Sequence, residues 1–283
     1  PAGQIALIHR EFVEERGWID EEQYLTALNF CHLLPGPEAQ QLATWIGWKL
    51  HGVRGGLVAG LLFVIPGALV ILALSVLYGY AARLEWFAAL FLGIKAAVLA
   101  IIVQALLRIA GRTLGTPFKR GIAAAAFIAL AAFALPFPLV VLGAGIVGAI
   151  TAALCPDWLA LKPNTAAPPS SPRPWGQSLR TIAVAGALWA APMVAVFLLL
   201  GPDHVLWKIG AFFSQLAVVT FGGAYAVLAY MAQTAVQDFG WLSAGEMADG
   251  LGLAETTPGP LIMVTQFVGY VAAFRAPEPF SPL

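Results

Sequence analysis

Long apolar runs alternate with short polar seams along this chain. Residues 121–156, 181–202 and 209–237 carry no charged side chain. A helix needs about 20 apolar residues to cross a bilayer. The pattern predicts spans near 57–81, 86–107, 119–135, 137–154 and 180–200, with turns at Pro136-Phe137-Pro138 and Gly201-Pro202-Asp203. Residues 1–17 read as the end of a helix running into a solvated boundary, where six of the 15 acids (Glu11, Glu14, Glu15, Asp20, Glu21, Glu22) stand with Arg10 and Arg16. Asp20 is placed to cap a helix over 21–33, which Pro35-Gly36-Pro37 ends. A further helix over 38–52 leads to Gly55-Gly56. Residues 205–238 read as one element interrupted at Phe221-Gly222-Gly223. A helix from about 244, then Pro258-Gly259-Pro260 and a helix from 261, complete the pattern.

The interruptions repeat. Each Pro-Gly-Pro follows a Gly-Trp pair by 17 residues, Gly17-Trp18 in one copy and Gly240-Trp241 in the other. At an offset of 223, Pro1–Pro37 aligns without a gap on Ala224–Pro260. One skipped residue then sets Trp45, Gly47 and Trp48 against Phe267, Gly269 and Tyr270. Matched Gly/Pro interruptions in the two halves of an apolar chain are the mark of a secondary transporter, and they point to its binding site.

Composition agrees with a membrane protein, at 60% hydrophobic and 11% charged residues, against about 25% charged in soluble domains. The expected fold is an all-α polytopic membrane protein of two homologous repeats with broken or re-entrant helices. The first repeat covers 1–154, a linker with six prolines covers 155–178, and the second repeat covers 179–283. The chain opens inside the repeated motif and stops soon after its second copy, so it reads as truncated at both ends. Basic residues outline one face: Lys49 and Arg54; Arg108, Arg112, Lys119 and Arg120; Lys162, Arg173 and Arg180. Positively charged loops stay cytoplasmic, which leaves the turns near 83–85, 136–138 and 201–203 outside. Five crossings separate the two cores. If each core enters and leaves on one face, as two re-entrant hairpins would, the repeats are inverted; if a core crosses once, they are parallel. Inversion is the favoured reading.

Zero net charge gives no sign of nucleic acid. Cys31 and Cys155, and His9, His32, His51 and His204, form no metal-ligand pattern, and no P-loop is present. No cofactor or metal is expected, and no catalytic set stands out. Chemistry gathers at the breaks instead. Lipid cannot satisfy unpaired backbone groups, so a break faces protein or a water-filled cavity, and the helix that restarts after it offers N–H groups and a positive dipole end to an anion. The candidate substrate-binding residues are Pro35, Gly36, Pro37, Glu38, Gln40 and Gln41 in the first core. In the second they are Gly222, Gly223, Thr256, Thr257, Pro258, Gly259, Pro260 and Gln266. These hydroxyls and amides suit a tetrahedral oxyanion, and they equally suit the capping of broken helices. Lys95, alone in its span, is either a substrate or counter-charge group or a snorkelling lysine. Glu38 and Glu255 flank the breaks as proton acceptors or as ordinary helix charge.

The stretch Pro35-Gly36-Pro37-Glu38-Ala39-Gln40-Gln41-Leu42-Ala43 with Ile46-Gly47-Trp48 resembles the bacterial chromate ion transporter family. So do Pro1-Ala2-Gly3-Gln4-Ile5-Ala6, Phe221-Gly222-Gly223-Ala224-Tyr225 and Thr257-Pro258-Gly259-Pro260. The resemblance implies a two-domain inner-membrane protein that exports chromate and lowers its cytoplasmic level, with sulfate as competitor or counter-substrate. The expected partners are such an oxyanion, the lipid bilayer and, among proteins, a second copy of the chain. A sulfate or other oxyanion importer is the first alternative, followed by a membrane-embedded enzyme and a passive channel.

Overall fold

The structure is a computed structural model. It describes residues 2–81, 84, 91–93, 96–97, 99–100, 103–104, 106–107, 110–111, 113–133, 135, 137–159, 175–219 and 224–276. The described residues are helical with no strand among them. They gather into two compact units, one of residues 1–98 and 190–283, the other of 99–189. Both motif-bearing cores belong to the first unit.

In that unit α1 (Ala2–His9) continues into a π-helical turn, Arg10–Glu15, and α2 covers Glu21–Leu33. Asp20 caps α2, its side chain accepting from the Gln23 N–H at 2.8 Å. The long element α3, Glu38–Ala81, is two helices, because His51 and Gly52 leave the helical region and Gly52 has φ 63°. The sequence ended the first leg at 52, and the turn falls there because Gly52 supplies the left-handed conformation a tight hairpin needs. Gly55 and Gly56 serve close packing: a Cβ at Gly55 would collide with the Gly47 carbonyl oxygen, and one at Gly56 would lie 3.0 Å from the Trp48 Cβ. The legs 38–50 and 53–81 therefore run back to back.

The second half of this unit contains the end of α6 (Trp175–Leu200), then α7 (Val205–Val219), α8 (Ala224–Gln233) with a π turn Thr234–Asp238, and α9 (Ala244–Thr256). A 3₁₀ turn Leu261–Met263 leads into α10 (Val264–Arg275). Gly201, at φ 83°, turns α6 into α7, and Phe197 packs on Trp207 across that turn at 5.0 Å. The interrupted element over 205–238 is folded back on itself. Phe212 and Tyr230 have ring centroids 5.8 Å apart, whereas 18 residues of straight helix would separate them by about 27 Å. Leu216, Val227 and Leu228 share the core between the two arms.

The repeat extends to individual hydrogen bonds. In the first copy Arg16 N–H reaches Glu11 O and Trp18 N–H reaches Phe12 O; in the second, Phe239 N–H reaches Thr234 O and Trp241 N–H reaches Ala235 O. Gly17 and Gly240 have φ 59° and 60°, and Gly36 and Gly259 have φ 115° and 133°. Asp20 and Ser243 cap α2 and α9 alike, Ser243 through a full capping box with Glu246.

The second unit holds α4 (Pro117–Ala131), capped by Thr116, and α5 (Phe137–Leu154), followed by a turn Pro156–Leu159 at the head of the expected linker. The sequence had run the first of these spans to 135, but its helix closes at Ala131. Many larger apolar side chains of the described spans face outward, Leu199 being 81% exposed. The window of α3 reaches a mean hydropathy of 2.8 and that of 179–200 reaches 2.3. Such surfaces suit lipid as solvent.

Candidate functional site

Each Pro-Gly-Pro joins two helices of 13 residues or fewer, about 20 Å long at 1.5 Å per residue and too short to cross a bilayer of ~30 Å. The pairs close as hairpins. Tyr24, Ala27 and Cys31 of α2 share one core with Leu42 and Ile46 of the α3 first leg. In the second copy Arg275, at the end of α10, donates to Trp241 O at 2.8 Å and ion-pairs with Glu246 at the start of α9. Burial opposes the charged form of Glu246, but Arg275 and Ser243 outweigh it and hold the carboxyl below the usual carboxylate range.

The second leg of α3 serves as a ruler between the hairpins. Near its start, a Cβ at Gly60 would press on Thr44 Oγ1 and on Gln40 Nε2, one turn beyond the first break. At its middle, a Cβ at Gly67 would collide with the Pro258 carbonyl oxygen of the second break. Toward its end, Gly79 meets Tyr270 and Phe274, and Tyr78 O–H donates to Asp249 Oδ2 at 2.8 Å. The first hairpin thus lies along the early half of the leg and the second along the later half, both with their breaks inward. Gly60 and Gly67 are seven residues apart, two helical turns or roughly 10 Å along one face. Gln4 of α1 adds a tie, its Nε2 donating to Gly259 O at 3.3 Å.

The first break is held by Gln41, whose Nε2 donates to Pro35 O at 2.7 Å. Its other amide atom, Oε1, is buried with no hydrogen-bond partner. The ladder after this break begins with Gln41 N–H to Pro37 O, so the N–H groups of Glu38, Ala39 and Gln40 precede it. After the second break Met263 N–H to Pro260 O is the first bond. Beside the first break a cavity of about 440 Å³ is lined by Cys31, Gln40, Gln41, Thr44, Trp45 and Trp48 among others.

Most of the side chains expected to greet an anion are engaged within the protein. Gln40 Nε2 donates to Thr44 Oγ1 at 3.2 Å, and Thr256 and Thr257 donate to carbonyls one turn back in α9. Gln266 Nε2 donates across to Ala68 O at 3.0 Å. Glu38 stands 3.9 Å from His32. These residues shape and fix the breaks, and among the described residues the backbone N–H groups of Glu38, Ala39 and Gln40 stand at the start of the ladder after the first one. Lys95, Gly222 and Gly223 lie outside the described residues. Asp249, buried at 4% exposure, was missed: its helix has the polar look of a capped surface helix, and no local pattern marks it.

The profile of the chromate transporter family matches residues 1–149 and 207–277. The chain belongs to that family. A probable chromate transport protein of Synechococcus elongatus is 29% identical over 96% of this chain and 65% of its own length. The chromate transport protein of Pseudomonas aeruginosa is 36% identical over 96% of this chain and 62% of its own length. An uncharacterized transporter of Methanocaldococcus jannaschii is 25% identical over 94% of this chain and 64% of its own. The chain thus spans less than two-thirds of the length of these relatives. No solved structure matches it.

Proposed function

We propose that this chain belongs to a secondary active transporter of the bacterial inner membrane that carries a small tetrahedral oxyanion, chromate first, outward by gradient- or exchange-coupled alternating access. It moves its substrate unchanged and is not an enzyme. The observation that carries the reading is the approach of both hairpins to one face of the α3 second leg, where Gly67 meets the second break at Pro258 and Gly60 meets Gln40 and Thr44, just past the first break. Helix starts at such breaks give a dianion backbone donors at mid-membrane depth. The names of the relatives supply chromate as the substrate to test first.

Inversion of the repeats is supported by the ruler geometry, with hairpins lying along opposite halves of one span. The folding back of 205–238 supports it too, since that segment then leaves the membrane on the face it entered. With five crossings between the cores, the two hairpin sets open to opposite sides. The division into repeats 1–154 and 179–283, joined by 155–178, describes this duplication rather than compactness. Gly36→Val and Gly259→Val test the site, because both positions have a positive φ and adjoin a break. Chromate uptake into inverted vesicles, at matched membrane protein levels, is expected to be abolished by either change. Uptake at the parental rate would show that the breaks are structural only. Sulfate competition in the same vesicles reports which oxyanion the site prefers.

A further inference from the structure

We propose that the row Gln23, Thr26, Asn29 and His32 on α2 lines a water-filled path by which the oxyanion passes between the cytoplasmic face and the first break. The proposal rests on the transport reading above and names the route to its site. Residues three apart on a helix are neighbours, so the four form one continuous row from the capped start of α2 to its last turn. All four are exposed. The exposed side chains on the flanks are apolar, Leu25 on one side and Phe30 and Leu33 on the other. Leucine and phenylalanine suit lipid. A polar row at membrane depth faces protein or a water-filled cavity instead, and such groups mark substrate pathways.

The second copy carries the row again. At the offset of 223 its members are Glu246, Asp249, Gly252 and Glu255, each polar or without a side chain. There Asp249 and Gly252 are buried, whereas their matches Thr26 and Asn29 are exposed. The adjoining position differs as sharply: Leu253 is 5% exposed and its match Phe30 is 57%. One hairpin thus has its row open and the other has its row closed, the difference that two routes opened in turn require.

Both ends of the open row suit an anion. At the inner end His32 Nδ1 lies 3.9 Å from Oε1 of Glu38, the first residue of the helix that restarts after the break. Phe30 on the flank of the row lines the cavity of about 440 Å³ there, together with Gln40 and Gln41. At the outer end Glu11 pairs with Arg16 and Glu15 with Arg10, while Glu14 and Glu21 both contact His9. These pairings weaken the negative field at the mouth. Between the ends, the Thr26 hydroxyl and the Asn29 amide offer donors to an oxyanion that has shed part of its water.

The test uses single cysteines at 25, 26, 29 and 33 in a chain carrying Cys31→Ala and Cys155→Ala. Alanine already stands at the match of Cys31, Ala254. Thiols react as thiolates, which form in water and not in lipid. Added to inverted vesicles, the anionic reagent sulfonatoethyl methanethiosulfonate is expected to label Thr26→Cys and Asn29→Cys and to spare Leu25→Cys and Leu33→Cys. Row cysteines that stay unlabelled, or flank cysteines that label as fast, overturn the path. In the second arm, labelling is expected to abolish chromate uptake by Thr26→Cys and Asn29→Cys, each measured against its own unlabelled rate. Uptake that survives complete labelling at both positions overturns the route while chromate transport stands. A parent that carries no chromate removes the transport reading itself, and the labelling pattern still decides whether the row meets water.

Discussion

Gly67 is where the reasoning about the second break is most exposed to experiment. A methyl group at this position, in Gly67→Ala, would collide with the Pro258 carbonyl oxygen and would stand 2.8 Å from Met263 Sδ. The methionine can move, but the carbonyl is backbone fixed between the turns of the break. Gly→Ala in a helix interior normally gains about 1 kcal/mol. Overpacking against a partner that cannot yield costs about 3 kcal/mol at the upper end. The net loss is about 2 kcal/mol, or roughly 30-fold in the folded-to-unfolded ratio. Gly145→Ala is the control, since a Cβ there meets nothing within 4 Å, and it keeps the helix-propensity gain. Reversible unfolding of both variants in detergent micelles, followed by circular dichroism, compares them directly. If Gly67→Ala proves as stable as Gly145→Ala, the close approach of α3 to the second break is wrong, and the convergence of the two hairpins on one face of α3 falls with it.

Three further outcomes follow from the same contacts. Gln266→Leu removes the hydrogen bond to Ala68 O and is expected to lower stability by about 1 kcal/mol, read as a shift of the same unfolding curve. Asp20→Ala and Ser243→Ala remove matched helix caps and are each expected to cost about 1 kcal/mol, with hydrogen exchange rising first in α2 and α9 respectively. The third concerns pH. The folded-state shift of Glu246 is downward, so its stabilising contribution is present above the ordinary carboxylate pKa of about 4.3 and is lost as pH falls through the lower folded value. Arg275→Gln is therefore expected to destabilise the chain at neutral pH and to converge with the parent at the acid end. A constant difference across the whole range would show that the ion pair is not the source.

The breaks, the caps at Asp20 and the bounds of α2 were legible in the sequence because each depends on local chemistry: proline without an N–H, a short acid before a helix, glycine at positive φ. The sequence marked 205–238 as interrupted at Gly222-Gly223 but not whether its arms fold back, since both are apolar; the contact of Phe212 with Tyr230 and the core shared by Leu216, Val227 and Leu228 show that they do. The end of the first leg at 52 was legible, whereas the use of Gly55-Gly56 to bring two helices together was not, because close packing leaves no local mark. At the site, positions were readable and roles were not. Gln41, Thr257 and Gln266 stand beside the breaks as expected, but their hydrogen bonds end on neighbouring carbonyls. Asp249 became visible only when a residue 171 positions away was seen to bond it.

The two π turns, Arg10–Glu15 and Thr234–Asp238, set the rotation of the helices that precede them. A π turn is a single extra residue accommodated within an α-helix, and it advances everything before it by about 100° about the axis. Both copies hold the insertion in the same hydrogen-bonding frame, so the leading helix of each is rotated in the same way. Deleting one residue between 10 and 15 would unwind that rotation and swing Gln4 away from the Gly259 carbonyl, so the tie between the two cores depends on the first π turn.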